Sequence, residues 1–407
     1  MARHGFTAFV LPGAAFAPHQ STGRGGWGVS FLGDHVSRRA PYRSCVRFSQ
    51  HHGSRSASAT AGAARRLKMV SVQDDDLLSA ENIPVLAFTG HRMKVYSGSA
   101  NPELAEKIAR LVGKTSSNRI LRKKFSDGET YVRIEESVRG CNVFLIQSAC
   151  GPNVNDHLIE LLLMIDACRR AHSQQITVCL PYYCYSRSDR LIDPDKKRRE
   201  ALTSKLVANM LSEAGAHRVV VLDIHSPQTC GFFDIPVDHI FAAPLFVEYL
   251  LKKKHADPSS LGYVVVAPDV GGVARARAIA KALDDVPLAI IDKRREAHNE
   301  AKVLNLVGDV RGKVAILVDD MIDTAGTICE GARMLRENGA EKVFAVATHP
   351  IFSGPACERL SSGVFEEVIV SDSIPVPKEK QFPQLRVLSV APLIADQLIR
   401  LHDLSLR

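Results

Sequence analysis

Apolar positions in this chain gather into short unbroken runs, and the stretches between them repeat with helical spacing. Asn142–Gln147 (NVFLIQ), Ile176–Leu180, Arg218–Ile224 (RVVVLDI), Tyr263–Ala267, Leu288–Ile291, Val314–Val318, Val343–Ala347 and Glu367–Val370 lack polar alternation. Such runs predict strands buried on both faces. Lys94–Ser97 and Arg386–Val390 are further strand candidates at the two ends of the series. Helices are predicted from Asn101 to Leu111, over Asp156–Arg170, and over Ala201–Ala214 with Gly215 as the stop. Asn101 followed by Pro102 supplies an N-cap and a first helical residue that needs no N–H partner. Further helices are predicted at Pro244–Lys254, Val273–Leu283, Ala325–Asn338, Gly354–Leu360 and Leu393–His402.

Strands alternating with helices imply parallel sheets covered by helices. The alternation starts over after about Pro244, so the expected fold is α/β with two tandem domains, each a mainly parallel sheet flanked by helices. The expected divisions are 1–75 as a leader, 76–92 as a linker, 93–243 and 244–390 as the two domains, and 391–407 as a terminal helix packed on the body.

The net charge of +8 suggests nucleic-acid binding until its distribution is considered. Residues 1–73 hold nine Arg, Lys68 and a single acid, Asp34, which gives that segment +9. The remainder has 42 basic and 43 acidic residues, a net charge of −1, so no basic docking surface is expected on the folded body. An Arg-, Ser-, Ala- and Gly-rich, acid-poor leader has the composition of an organelle transit peptide. Its loose character favours a plastid, with a mitochondrion as the alternative; a basic arm that binds nucleic acid is the competing reading.

No run reaches the roughly 18 apolar residues needed to span a bilayer, and no membrane partner is expected. The nine cysteines contain no Cys-x-x-Cys pair. Neither a zinc site nor a disulfide framework is indicated.

Val314–Thr327 (VAILVDDMIDTAGT) carries the strongest chemical signal. An apolar strand ends in Asp319-Asp320, and Asp323-Thr324-Ala325-Gly326-Thr327 then opens a helix. Consecutive amides and hydroxyls at a helix start form a cradle for phosphate. The upstream carboxylates would repel that anion but can accept hydrogen bonds from sugar hydroxyls. Phosphate on one side and a diol on the other describe a 5-phosphoribosyl group. Asp-Asp after a strand is, by itself, more often a helix cap or a metal pair; the full order of residues is what narrows the reading.

From about Val95 to His402 the sequence resembles ribose-phosphate pyrophosphokinase, the family of phosphoribosyl diphosphate synthetases. The resemblance implies phosphoribosyltransferase-like domains, ATP and ribose 5-phosphate as substrates, and Mg²⁺ as cofactor. It also implies a homo-oligomer of at least two subunits, with a hexamer expected. Phe125-Ser126-Asp127-Gly128-Glu129 matches the family's flag loop, which binds adenine across a subunit boundary; Phe125, Asp127 and Glu129 are its candidate contacts. Alone, this segment would read as a solvated turn between strands.

Tyr182–Arg190 (YYCYSRSDR) matches the loop that contacts ATP phosphate, with Arg187 as its cation; Ser188 stands where a Gln is common. His225, in LDIHSPQTCGFFDIP, is implied to hold the Mg²⁺–ATP group, and Asp269, in VAPDVGG, to be a Mg²⁺-associated carboxylate. A lone His or a Pro-Asp-x-Gly-Gly turn would ordinarily be structural. Imidazole is an uncommon direct partner of Mg²⁺, so His225 is expected to act through ATP or metal-bound water. Asp292–Asn299 (DKRREAHN) matches the mobile catalytic loop, with Lys293 and Arg295 as catalytic cations. Runs like this are otherwise solvated surface.

Two departures stand out. Leu191–Arg199 is longer and more charged than usual, and Pro227 and Cys230 replace polar residues of the family's phosphate-regulatory site. Weak or absent activation by phosphate is expected. A non-catalytic subunit of such a synthetase and a phosphoribosyltransferase are the competing functions. The intact phosphate loop, Lys293 and Arg295 oppose the first, and the flag loop opposes the second.

Overall fold

A computed structural model describes residues 93–114, 119–191, 200–256, 261–294 and 303–405. The expected leader and linker, Arg295 and most of the charged 191–199 segment lie outside these residues, and Lys293 is described only as backbone.

The first sheet is built from β1 (Met93–Ser97), β4 (Asn142–Ile146), β5 (Gln175–Leu180), β6 (Arg218–Leu222) and β7 (Val237–Ile240), in that order and all parallel. Between β1 and β4, β2 (Ile120–Lys124) and β3 (Thr130–Ile134) form a separate antiparallel hairpin. The second sheet runs β10-β9-β8-β11-β12-β13-β14. Its strands are β8 (Tyr263–Ala267), β9 (Leu288–Arg294), β10 (Val303–Val307), β11 (Val314–Ile322), β12 (Lys342–Pro350), β13 (Glu367–Ser371) and β14 (Leu385–Leu388). Only β10 is antiparallel to its neighbour in this sheet among the described residues.

The absence of polar alternation has a direct cause in the packing. On β4, Val143 and Leu145 face a core with α2 (Val154–Arg170) and α3 (Thr203–Ala214), while Phe144 and Ile146 face a second core. That second core joins both sheets through α1 (Pro102–Leu111), α4 (Ala243–Ala256), α5 (Val273–Ala282) and α8 (Ala391–Ser405). A third core lies between the second sheet and α6 (Gly326–Glu337) and α7 (Ala356–Leu360). Each fully buried Leu or Ile contributes about 1.5–3 kcal/mol, so the shared core ties the two sheets together strongly. Local signals set the helix ends. The Asn101 side chain accepts the Leu104 N–H at 3.3 Å, and α3 stops at Gly215, where φ is 115°.

Three differences from the sequence expectation have physical reasons. β11 continues through Asp319 and Asp320 to Ile322 instead of ending before them, because β12 pairs beside it as far as Pro350. The hairpin strands ILRKK and TYVRI are half exposed and charged, so they lack the continuous apolar signal. β7 (VDHI) and β10 lie at sheet edges, where partial exposure again removes that signal.

Candidate active site

The carboxyl ends of β6, β8, β11 and β12 converge, as expected for a ligand site in parallel sheets. Asp320 has a partner on each carboxylate oxygen. His225 Nδ1 donates to its Oδ2 at 2.7 Å, and Arg275 Nη1, from α5, lies 3.7 Å from its Oδ1. Burial alone would push the Asp320 carboxyl up, but the His225 hydrogen bond and the Arg275 charge outweigh it and hold the group well below the usual carboxylate range. The same hydrogen bond raises His225 above the ordinary imidazole value, against the opposing effect of burial. Asp319 accepts the Asp320 N–H at 2.9 Å; burial and the neighbouring negative charge push its carboxyl up. The pair thus behaves as one firmly ionised acid beside one reluctant acid.

The cradle follows at once. Ala325 adopts the left-handed region, φ 60°, and turns the chain into α6 at Gly326. For a residue with a Cβ this costs about 1 kcal/mol or more. The turn is held by Ser353 N–H on the Asp323 carbonyl at 3.0 Å and by Arg359 Nη1 on the Thr324 carbonyl at 2.9 Å. No side chain caps the N-terminus of α6. A Cβ at Gly326 would come within 3.3 Å of Arg359 Nη1, so glycine keeps this approach open. Thr324 and Thr327 flank it. Arg187 Nη1 reaches across from the first sheet to donate to Asp323 Oδ2 at 2.7 Å. Burial would raise the Asp323 carboxyl, but hydrogen bonds from Ser353 and Arg187 and the Arg187 charge outweigh it and lower the group.

The remaining candidates are placed as follows. Asp269 lies exposed in a turn before α5, with Oδ1 accepting the Gly272 N–H at 3.0 Å. Ser188 does structural work here: its Oγ donates to the Ala201 carbonyl at 3.1 Å and accepts the Thr203 N–H at 3.3 Å, which fixes the start of α3. It also lines a cavity of about 840 Å³ with Asn155, Tyr182, Tyr185, Arg187 and Glu200. Phe125 sits on the hairpin 47% exposed, edge-on to Tyr131 with ring centroids 5.6 Å apart. Asp127 accepts the Glu129 N–H at 3.1 Å, and Gly128, with φ 95°, closes the turn.

Residues 93–215 match the model of the N-terminal domain of ribose phosphate pyrophosphokinase, and residues 274–405 that of the phosphoribosyl synthetase-associated domain. A ribose-phosphate pyrophosphokinase of Synechococcus elongatus is 58% identical over 316 residues, covering 77% of this chain and 92% of its own. This chain belongs to the ribose-phosphate pyrophosphokinase family. A further relative is the chloroplastic ribose-phosphate pyrophosphokinase 1 of Oryza sativa subsp. japonica, 52% identical over 82% of this chain and 83% of that one. The solved phosphoribosylpyrophosphate synthetase of Mycobacterium smegmatis superposes with a TM-score of 0.71 at 41% identity, covering 77% of this chain and 99% of that chain.

Within this pyrophosphokinase site, Arg275, Arg359, Thr348 and His349 were not singled out from the sequence. Arg275 and Arg359 sit on helices whose charged residues resemble ordinary solvated faces. Thr348-His349 does carry a signal: like Asp319-Asp320, it is a polar pair closing a long apolar strand.

Proposed function

We propose that this pyrophosphokinase transfers the β,γ-diphosphate of ATP to the 1-hydroxyl of ribose 5-phosphate, giving 5-phosphoribosyl 1-diphosphate and AMP. The observation that carries the proposal is the meeting of His225 and Arg187 from the first sheet with Asp320 and Asp323 beside the α6 cradle. The amides of Gly326 and Thr327 and the two Thr hydroxyls receive the 5-phosphate. Asp319 and Asp320 accept from the ribose hydroxyls. Arg187 binds the triphosphate, and Tyr182 and Tyr185 wall the nucleotide cavity, with Phe125, Asp127 and Glu129 supplied by the flag hairpin of a second subunit.

The 1-hydroxyl attacks the β-phosphorus in line, and AMP departs. Catalysis rests on positioning and on cations, Lys293 and Arg295 among them, that neutralise charge on the transferring group. Residues 93–243 act as the nucleotide domain and 244–390 as the ribose 5-phosphate domain. The assembly is a homo-oligomer, at least a dimer and by family resemblance a hexamer, and the acid-poor leader directs the chain to a plastid.

The donor set fits Mg²⁺. Among the described residues no cluster of three or more His, Cys, Asp or Glu could cage a metal, and Asp269 keeps one carboxylate oxygen outside its turn. That suits an ion held mostly by phosphate oxygens and water, with Asp269 as a carboxylate partner and His225 acting through water. When bound, Mg²⁺ neutralises the diphosphate and polarises its phosphorus.

Incubation of the purified protein with ATP, ribose 5-phosphate and Mg²⁺ tests the proposal. Equal amounts of AMP and 5-phosphoribosyl diphosphate are expected. Binding of both substrates without turnover would instead mark a non-catalytic subunit.

A further inference from the structure

Asp223, two residues before His225, is held at every polar group it has. Its φ of 37° is unusual for a residue with a side chain. Its N–H donates to the Ile240 carbonyl at 2.9 Å, and its buried carboxylate accepts the Ala242 N–H at 2.9 Å and the Thr348 hydroxyl at 2.6 Å. Its carbonyl faces His349 Nε2 at 3.2 Å, so that nitrogen carries the proton. Thr348 and His349 belong to β12, in the other sheet. They are fixed in turn: His349 Nδ1 lies 2.9 Å from Ser373 Oγ, and Ser371 donates to the Thr348 carbonyl at 2.6 Å. Ser148, from the first sheet, donates to the Ser373 carbonyl at 2.7 Å.

The register explains the purpose of this arrangement. Asp319 pairs with Ala347 and Met321 with His349, so Asp320 and Thr348 lie between the same two rungs of neighbouring strands. Residues 223 and 225, two apart on one segment of the first sheet's side, face these two side-by-side positions. The Asp223–Thr348 contact and the His225–Asp320 contact are therefore two steps of a single clasp between the sheets.

We infer that Thr348 and His349 are positioning residues for the diphosphate transfer: by gripping the strained Asp223 they fix where the His225 ring meets the Asp320 carboxylate. The inference rests on the function proposed above and adds residues that touch no substrate. A buried polar network that only stabilised the fold would change melting temperature and leave the chemical step untouched. A clasp that sets the site must change turnover, because small misplacements of catalytic groups are costly.

The test compares full-length wild type, Thr348→Val and Thr348→Ser in steady-state assays with ATP, ribose 5-phosphate and Mg²⁺, alongside thermal melting. Thr348→Val, which keeps the side-chain shape and removes the hydroxyl, is expected to lower kcat by about tenfold or more while each KM moves less than about threefold. Thr348→Ser, which keeps the hydroxyl, is expected to return kcat to within about threefold of wild type. Should Thr348→Val fail to fold, Ser373→Ala, which removes the hydroxyl that faces both His349 Nδ1 and, at 3.0 Å, the Thr348 carbonyl, is expected to lower kcat in the same selective way. A folded Thr348→Val with wild-type kcat, equal losses in Thr348→Val and Thr348→Ser, or a folded Ser373→Ala with unchanged kcat would overturn the inference. A wild-type chain that forms no product overturns the functional reading itself, and this inference with it.

Discussion

Arg187 and Asp323 lie 136 residues apart in sequence, yet Nη1 of one donates to Oδ2 of the other at 2.7 Å, the first from the cavity walled by Tyr182 and Tyr185 and the second from the turn that leads into α6. Both side chains remain partly exposed, 53% and 28%. An ion pair of that kind contributes at most about 1 kcal/mol to stability. The cation is thus held between the cavity and the α6 turn at little energetic cost, which under the proposed function leaves it able to turn to triphosphate when ATP arrives. Arg187→Ala is expected to leave the unfolding free energy within about 1 kcal/mol of wild type. The same change is expected to lower kcat/KM by about a hundredfold or more, because charge stabilisation at a transferring phosphate is lost. Urea unfolding and steady-state kinetics on one preparation check both outcomes.

Gly326→Ala separates the cradle from the fold. The new Cβ comes within 3.3 Å of Arg359 Nη1, which also donates to the Thr324 carbonyl, so the guanidinium must shift by a few tenths of an ångström, while the first turn of a helix accepts alanine well. Melting should change little. The methyl group occupies the approach to the α6 amides, so KM for ribose 5-phosphate is expected to rise about tenfold or more while KM for ATP changes little. A ribose 5-phosphate titration at saturating ATP reads this.

His225 and His349 respond to pH in opposite senses. The hydrogen bond to Asp320 raises His225, so its stabilisation is complete below the ordinary 6.5 and fades as pH rises through its raised value. Burial lowers His349, so the unfolded chain binds the extra proton first and stability is lost as pH falls below 6.5. His349→Gln removes the second effect. Its unfolding midpoint should fall less steeply than wild type between about pH 7 and about pH 5. Equal slopes in the two proteins would contradict the assignment.

The flag hairpin offers a test of shared sites. Phe125→Ala changes an exposed ring and should leave melting unchanged while weakening ATP. If the hairpin acts across a subunit boundary, mixing Phe125→Ala and Arg187→Ala chains under subunit exchange, at an ATP concentration where each alone is impaired, creates some sites with both residues intact. Partial return of activity on mixing is expected. Activity equal to the sum of the two impaired proteins would place the hairpin at its own subunit's site.

The fold was legible wherever burial was two-sided. β4, β5, β6, β8 and β13 announce themselves because both faces of each strand are buried, leaving no polar alternation to blur the run. The hairpin and the edge strands β7 and β10 were not legible because they are partly exposed, whereas the edge strands β1 and β14 were. The cradle could be read because strand, acids, turn and helix start occupy consecutive positions. The pairs His225–Asp320, Arg187–Asp323 and Asp223–Thr348 could not, since each joins segments 95 to 136 residues apart that meet only when the two sheets share a core. Ser188 shows the converse. The family pattern pointed to nucleotide, and the serine found there also braces the start of α3.

Transfer of the intact diphosphate is tested most directly by following ATP labelled at the β-phosphorus through a single turnover with ribose 5-phosphate. The account predicts that the label leaves the nucleotide and appears in the sugar product, with AMP as the released nucleotide. Label retained in ADP, with a singly phosphorylated position on the sugar, would contradict it.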